Sequence, residues 1–296
     1  IRAANSSAFS GLSINIHGFD AAKRAAQPLV SDAKVALEKI SAALGTKRFA
    51  DPDFSARTNW FATTDGLFAA PKGNELPTDA QVIGAVDRNA GKQSLIMSAA
   101  GTMPGALHVL WRAAQGGYHM EYGFSCMGYE LAGAMGIKMA LPQRDVICMI
   151  GDGSYMLANS ELATAVMMGI PFTVVLTDNR GYGCINRLQA ATGGAPFNNL
   201  LRDSYHVNEA NLDFVAHARS MGAHAVKVGT IAHLEAALKD AKSATIPTVI
   251  VIDTDPLPGT GAGGTWWDVA VPEVSDRKEV NEARKGYEAG TRAQWL

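Results

Sequence analysis

Four short runs of the chain are almost wholly apolar: SLIMS at 94–98, VICMI at 146–150, FTVVL at 172–176 and TVIVI at 248–252. They are continuous rather than alternating, the pattern of strands covered on both faces in a parallel sheet. HAVKV at 224–228 reads as a further strand. Between these runs lie segments with helical spacing: TDAQVIGAVDRNAG, MGYELAGAMGIKMAL, NLDFVAHARSMG and TIAHLEAALKDAKS. The first opens on Thr78 with Gln81 three residues on, a capping-box arrangement. GTMPGALHVLWRAAQGG, at 101–117, is read as a loop leading into a helix. The glycines and alanines of MGYELAGAMG predict close approach of a neighbour to that helix backbone. Strand and helix in alternation predict the α/β class: a doubly wound, mostly parallel sheet with helices on both faces and right-handed crossovers. Ligands of such sheets bind at the carboxyl ends of the strands.

The two ends of the chain leave that pattern. LSINI at 12–16 is a short strand and SDAKVALEKISAALG an amphipathic helix. A strand and a helix with nothing before them cannot close a core of their own. Residues 1–45 are therefore read as the remnant of a central α/β domain; an N-terminal arm packed on the main domain is the other reading. Residues 46–58 form a linker, 59–256 the main domain, and 257–296 a tail with a loop and a surface helix.

Composition narrows the classes of function. Of 296 residues 47% are hydrophobic and 18% charged, with a formal net charge of −2. That balance gives no reason to expect nucleic acid or an anionic membrane as partner. No apolar run approaches the roughly 20 residues that span a bilayer. The opening IRAANSSAFSG lacks the charged-then-apolar layout of a secretion signal. Cys126, Cys148 and Cys184 form no CxxC pair, so a reducing cytoplasm is the expectation, with each thiol packing or lining a pocket.

Candidate chemistry concentrates in two consecutive strands. GDG at 151–153 directly follows VICMI, and TDN at 177–179 ends the next apolar run. Asp152 and Asn179 are thus expected at one edge of the sheet. A carboxylate, an amide oxygen and a nearby backbone carbonyl are hard donors that suit Mg²⁺, which completes its shell with water and phosphate oxygens. Gly153 and Ser154 open a helix whose free N–H groups face the same place. Taken singly, GDG and DN would be turn residues and nothing more. GTGAGG at 259–264 satisfies the dinucleotide spacing, but TWWDVAVPE follows it instead of a helix, and that reading fails. His119, near the expected pocket mouth, is read as a structural hydrogen-bonder before a proton carrier. His108, His206, His217, His224 and His233 have no metal or triad spacing, and no GxSxG elbow occurs.

GDG followed at a narrow interval by Asn resembles the thiamine-diphosphate motif of the acetolactate synthase and pyruvate decarboxylase superfamily. The resemblance runs from the start of the chain to about residue 255. It implies thiamine diphosphate and Mg²⁺ as cofactors, with Asp152 and Asn179 giving side-chain oxygens and Gly181 its carbonyl to the metal. Gly153 and Ser154 would meet the diphosphate, as would Gly101 and Thr102 in the AAGT loop. Met127 matches the bulky apolar residue that bends the cofactor; it reads equally as a core methionine. The family often has Asn-Asn where this chain has Asn179-Arg180, and the second position is not a ligand.

The superfamily's activating glutamate belongs to a pyrimidine-binding domain on a second subunit, so no catalytic residue is assigned here. A homodimer or tetramer, and inactivity of these 296 residues alone, are the implied expectations. Within the superfamily, GGYHMEYGFSCMGYELAGAMG and the tail from Gly264 resemble the hydrolases that open an inositol-derived cyclic diketone to 5-deoxyglucuronate. Trp266 and Trp267 would then close over the site or simply anchor the tail. A carboligase acting on pyruvate, and a regulatory subunit without activity, are the alternatives.

Overall fold

The computed structural model describes residues 11–23, 26–48, 50, 53–73, 75–121, 123–260 and 269–293; Trp266, Trp267 and most of the 259–264 glycine run lie outside them. The chain forms two compact units, residues 1–57 and 58–296. In the first, β1 (Leu12–Asn15), α1 (Phe19–Lys23), β2 (Gln27–Val30) and α2 (Ala33–Leu44) surround a two-stranded parallel sheet, with Leu12 paired to Gln27. The Asp32 carboxylate caps α2 by accepting the Val35 N–H at 3.0 Å.

The unit boundary falls in α3 (Ser55–Leu67), after which the second unit continues with α4 (Asp79–Asn89), β3 (Ser94–Ser98), α5 (Thr102–Leu110), β4 (Tyr118–Met120) and α6 (Tyr129–Ala140). Next come β5 (Asp145–Gly151), α7 (Asp152–Leu157), α8 (Glu161–Met167), β6 (Thr173–Asp178) and α9 (Gly183–Ala191). A 3-10 turn at 201–203, α10 (Phe214–Ser220), β7 (His224–Val228), α11 (Ile231–Ala241), β8 (Thr248–Asp253) and α12 (Lys278–Ala293) complete it.

Six strands make one sheet in the order β4-β3-β5-β6-β8-β7, every pair parallel. The apolar runs occupy its middle. β3 and β6 are buried at every position, whereas β7 on the edge buries only Ala225 and Val228 fully. Side chains of even and odd strand positions enter two separate cores. On one face Ile96, Met149, Val175 and Ile250 pack with Val82 and Ile83 of α4, Leu107 of α5 and Leu234 of α11. On the other, Met97, Cys148, Val174 and Val251 pack with Leu131 of α6, Tyr155 of α7, Leu162 of α8 and Phe214 of α10. Each such side chain contributes about 1.5–3 kcal/mol on burial, which explains the unbroken apolar runs. The anticipated close approach to α6 is real: a Cβ on Gly133 would sit 2.8 Å from Met97 Cε.

One element departs from the expected order. The segment after β3 begins as helix at Thr102 and becomes loop only after Leu110, the reverse of a loop leading into a helix. Pro104 misleads here. In the first turn of a helix its missing N–H would have had no partner anyway.

β3 continues toward β4 on one side, whereas β5 continues toward β6 on the other. The strand order therefore reverses between β3 and β5, the kind of switch point at which open α/β sheets offer a ligand crevice beyond the strand ends. Gly101 and Thr102 lie at one lip and Gly151 to Ser154 at the other.

α4 carries the capping box: Thr78 N–H reaches Gln81 Oε1 at 2.9 Å and Gln81 N–H reaches Thr78 Oγ1 at 3.3 Å. Thr78→Ala removes half of it. Thermal denaturation should show a loss of about 1 kcal/mol, a fall of roughly 2–4 °C in Tm for a unit of this size.

Candidate functional site

β5 and β6 are adjacent, with Gly151 opposite Thr177. That register brings the next residues of both strands, Asp152 and the Asp178-Asn179 pair, to the same edge. Asp152 is the first residue of α7, and its Oδ2 accepts the Gly181 N–H at 2.9 Å. Its Oδ1 is buried and has no hydrogen-bond partner, and the same is true of Asn179 Oδ1. An unsatisfied buried oxygen costs about 1–3 kcal/mol, so these two on adjacent strand tips, with Asp253 Oδ1 and Thr254 Oγ1 at the end of neighbouring β8, require explanation. Burial first, and the neighbouring Asp178 carboxylate second, push the Asp152 carboxyl up to about 7, against the pull of the Gly181 and Gly153 N–H groups.

The turn after Asn179 has an unusual backbone. Arg180 sits in the left-handed region at φ 59°, a conformation that costs a non-glycine residue of order 1 kcal/mol. Asp178 compensates: Oδ1 accepts the Arg180 N–H at 3.1 Å, and Oδ2 lies 3.4 Å from its Nε. Gly181 follows at φ 148°, and any Cβ there would collide with the Asn199 carbonyl and with Leu200 Cα. A bridge between Gly181 and Leu200 pins the turn. The Asn179 side chain lies under Gly183, where a Cβ would come within 3.1 Å of Nδ2.

The other anticipated positions form two further groups. Gly153 lies beneath the ring of Tyr182, and its Cβ position is 3.6 Å from Met127 Cε. Met127 is half-buried at that point and belongs to neither sheet-face core. Ser154 is buried with its hydroxyl engaged by Glu130, 2.8 and 2.7 Å from the two carboxylate oxygens. Only its main chain is left for another contact. Gly101 stands at φ 92° with open space around it, and Thr102 Oγ1 accepts from Arg187 Nη2 at 2.7 Å. His119 is exposed on β4 and stacks on Tyr129, with Nε2 3.4 Å from its hydroxyl.

Sequence reasoning passed over Arg187, Tyr182 and Glu130. Arg187 binds both Thr102 and the Pro256 carbonyl (2.8 Å), joining the loops after β3 and β8. Glu130 has no partner at a spacing that marks it. Its place at the start of a glycine-rich helix was the available signal.

Residues 99–252 match the family described as thiamine pyrophosphate enzyme, C-terminal TPP binding domain. The chain belongs to that family, and thiamine diphosphate is the cofactor such domains bind. It is 35% identical, over a 303-residue alignment, to a 3D-(3,5/4)-trihydroxycyclohexane-1,2-dione hydrolase of Geobacillus thermodenitrificans, covering 92% of this chain and 47% of that protein. It is 38% identical over 264 residues to a like-named protein of Bacillus anthracis, covering 86% and 40%. The chain thus spans about half the length of these curated relatives. A solved structure, the thiamine diphosphate-dependent 4-hydroxybenzoylformate decarboxylase of Rhodococcus jostii RHA1, superposes with a TM-score of 0.65 at 22% identity, covering 84% of this chain and 44% of that one. At that identity the likeness is one of fold.

Behind the Thr102 lip, Asp79 is buried at 5% exposure. Burial raises its carboxyl to about 6, and the Arg187 charge offsets part of that rise. Between about pH 4 and pH 6 the folded chain keeps a proton there that the unfolded chain has released. Stability therefore declines as pH rises through that window. Asp79→Asn should be more stable than the parent at pH 7.5, by up to about 3 kcal/mol, and show no gain near pH 4 in denaturant titrations at both pH values.

Proposed function

We propose that Asp152 and Asn179, through their side-chain oxygens, and Gly181, through its carbonyl, hold Mg²⁺ at the tips of β5 and β6, and that the metal secures the diphosphate of thiamine diphosphate. One observation carries this reading: Asp152 Oδ1 and Asn179 Oδ1 are both buried and unpartnered at the sheet edge beside the crevice. A cation there would satisfy both and lower the Asp152 carboxyl from its raised position. No group of three His, Cys, Asp or Glu is placed to hold a metal ion by itself among the described residues. One carboxylate with an amide and a carbonyl fits Mg²⁺, which retains water and takes phosphate oxygens.

The remaining roles belong to the chain's own groups. Gly181 N–H orients Asp152, and the Asp178–Arg180 contacts hold the turn that presents Asn179 and Gly181. Gly101, Thr102, Gly153 and Ser154 offer main-chain N–H groups at the two lips of the crevice. Met127, over Gly153, supports the cofactor against Tyr182. When bound, thiamine diphosphate supplies an electron sink for breaking a C–C bond next to a carbonyl.

For the whole protein we infer hydrolysis of a C–C bond in the ring of trihydroxycyclohexane-1,2-dione, supported by the names and identity of the curated relatives. The substrate is then a small cyclic diketone. The activating carboxylate would come from a pyrimidine-binding domain on a second subunit. Exposed Met156, Leu157, Ile185 and Leu188 on α7 and α9 support a partner on that side. All three cysteines are free, in keeping with a reducing cytoplasm, and no helix among the described residues is long and apolar enough to cross a membrane.

Calorimetric titration of the full-length protein should show thiamine diphosphate binding only with Mg²⁺ present, abolished by EDTA. At a hundred times its Kd the cofactor adds about 2.7 kcal/mol of stability, visible as a rise in Tm. Asp152→Asn should weaken binding at least tenfold while raising the Tm of the cofactor-free protein at pH 7.5, because it removes a carboxyl pushed up to about 7, and Asn179→Ala should weaken binding as much; unchanged affinity in both would remove the metal site. Loaded enzyme should consume the cyclic diketone, and acetolactate from pyruvate without ring opening would instead mark a carboligase.

A further inference from the structure

Glu130, in the first turn of α6, is 0% exposed and has no cationic partner among the described residues. Its oxygens are nonetheless fully engaged. Oε1 accepts the Ala100 N–H at 3.2 Å and Oε2 the Gly128 N–H at 3.0 Å. The Ser154 hydroxyl lies 2.8 and 2.7 Å from Oε1 and Oε2, and its own oxygen accepts from Gly128 N–H at 2.9 Å. These three partners belong to three separate segments. Ala100 precedes Gly101 and Thr102 at the tip of β3, Gly128 follows Met127, and Ser154 follows Asp152 and Gly153 at the tip of β5. One side chain therefore fixes the spacing of every segment that carries an anticipated contact to the cofactor, apart from the turn at 179–181.

We propose that Glu130 is a positioning residue for the cofactor: it sets the width of the crevice between the β3 and β5 tips and the height of Met127 above it, without touching the cofactor itself. The inference rests on the cofactor reading above. Its physical basis is the donor count. A carboxylate is acceptor-only, and here three donors converge on its two oxygens. A glutamine of equal size must turn an NH₂ toward one of them, so one segment is pushed away while the fold's two cores stay untouched. Partners that orient binding groups in this way typically govern affinity by 10–100-fold when replaced.

The test compares full-length wild type with Glu130→Gln by calorimetric titration of thiamine diphosphate at fixed Mg²⁺, alongside Tm of the cofactor-free proteins. Leu234→Ala, in the core behind α11 on the opposite sheet face, serves as a destabilised control. Glu130→Gln should raise the cofactor Kd at least tenfold and recover most of its turnover at saturating cofactor. Leu234→Ala should lower Tm as much or more with Kd unchanged. Amide exchange at Ala100 and Gly128 should quicken in Glu130→Gln alone. A Kd within about twofold of wild type overturns the role of Glu130 while leaving the site intact; no binding by wild type overturns the site and the inference together. Should Glu130→Gln fail to fold, Glu130→Asp, which keeps the charge but shortens the reach, carries the same comparison.

Discussion

Among the described residues, three carboxylates stand at the carboxyl edge of the central strands, and one of them has no cation beside it. Asp253, at the end of β8, is bound by Lys227 at 2.9 Å. Asp178, at the end of β6, has Arg180 beside it. Asp152, at the end of β5, has N–H groups on one oxygen and nothing on the other, with Asp178 as its nearest charge. The parallel register that seals the two cores forces this crowding, because Gly151 opposite Thr177 and Asp178 opposite Asp253 leave the acidic residues on neighbouring strand ends. A sheet edge of this kind is unfavourable by itself. The Mg²⁺ proposed between Asp152 and Asn179 would relieve that cost by placing a positive charge beside Asp152 Oδ1.

The parts of this architecture that were legible in the sequence are those encoded locally. Strands buried on both faces need unbroken apolar runs, and VICMI and FTVVL supply them. The Thr78–Gln81 cap is a contact over three residues, so its residues can be read directly. The placement of Asp152 and Asn179 at one edge followed from two such strands being neighbours. The order of α5 and its following loop was misread because Pro104, with Gly101 and Gly105 around it, suggests a break, although Pro is neutral in a helix's first turn.

What was not legible depends on contacts between distant segments. Arg187 reaches Thr102 across 85 positions, and Tyr182 covers Gly153 from the far side of β6. Neither has a spacing that marks it. α9 opens on glycine and is interrupted by Asn186, Arg187 and Gln189, β4 has only three residues, and α3 lacks a strong apolar stripe, so none rises above its flanking loops. The exchange of Asn for Arg at position 180 is similar. From sequence it looks like a surface change beside a ligand, but in the structure it is a residue in the left-handed region, tolerable because Asp178 grips its N–H.

Two different means hold the crevice open, and they divide the work. At the 179–181 turn the backbone itself is specified: Gly181 admits no Cβ, Arg180 is anchored, and the Leu200 bridge removes the remaining freedom. Across the β3–β5 gap no backbone ladder is available, because beyond the strand ends the chains diverge into α5 and α7. A side chain must then span the gap. An apolar one could fill it but would leave the Ala100 and Gly128 N–H groups buried without acceptors, whereas the Glu130 carboxylate satisfies both and the Ser154 hydroxyl as well. The buried acid is thus the least costly way to keep three strand-end segments apart at a fixed distance, and a fixed distance is what a ligand anchored at several points demands of its site.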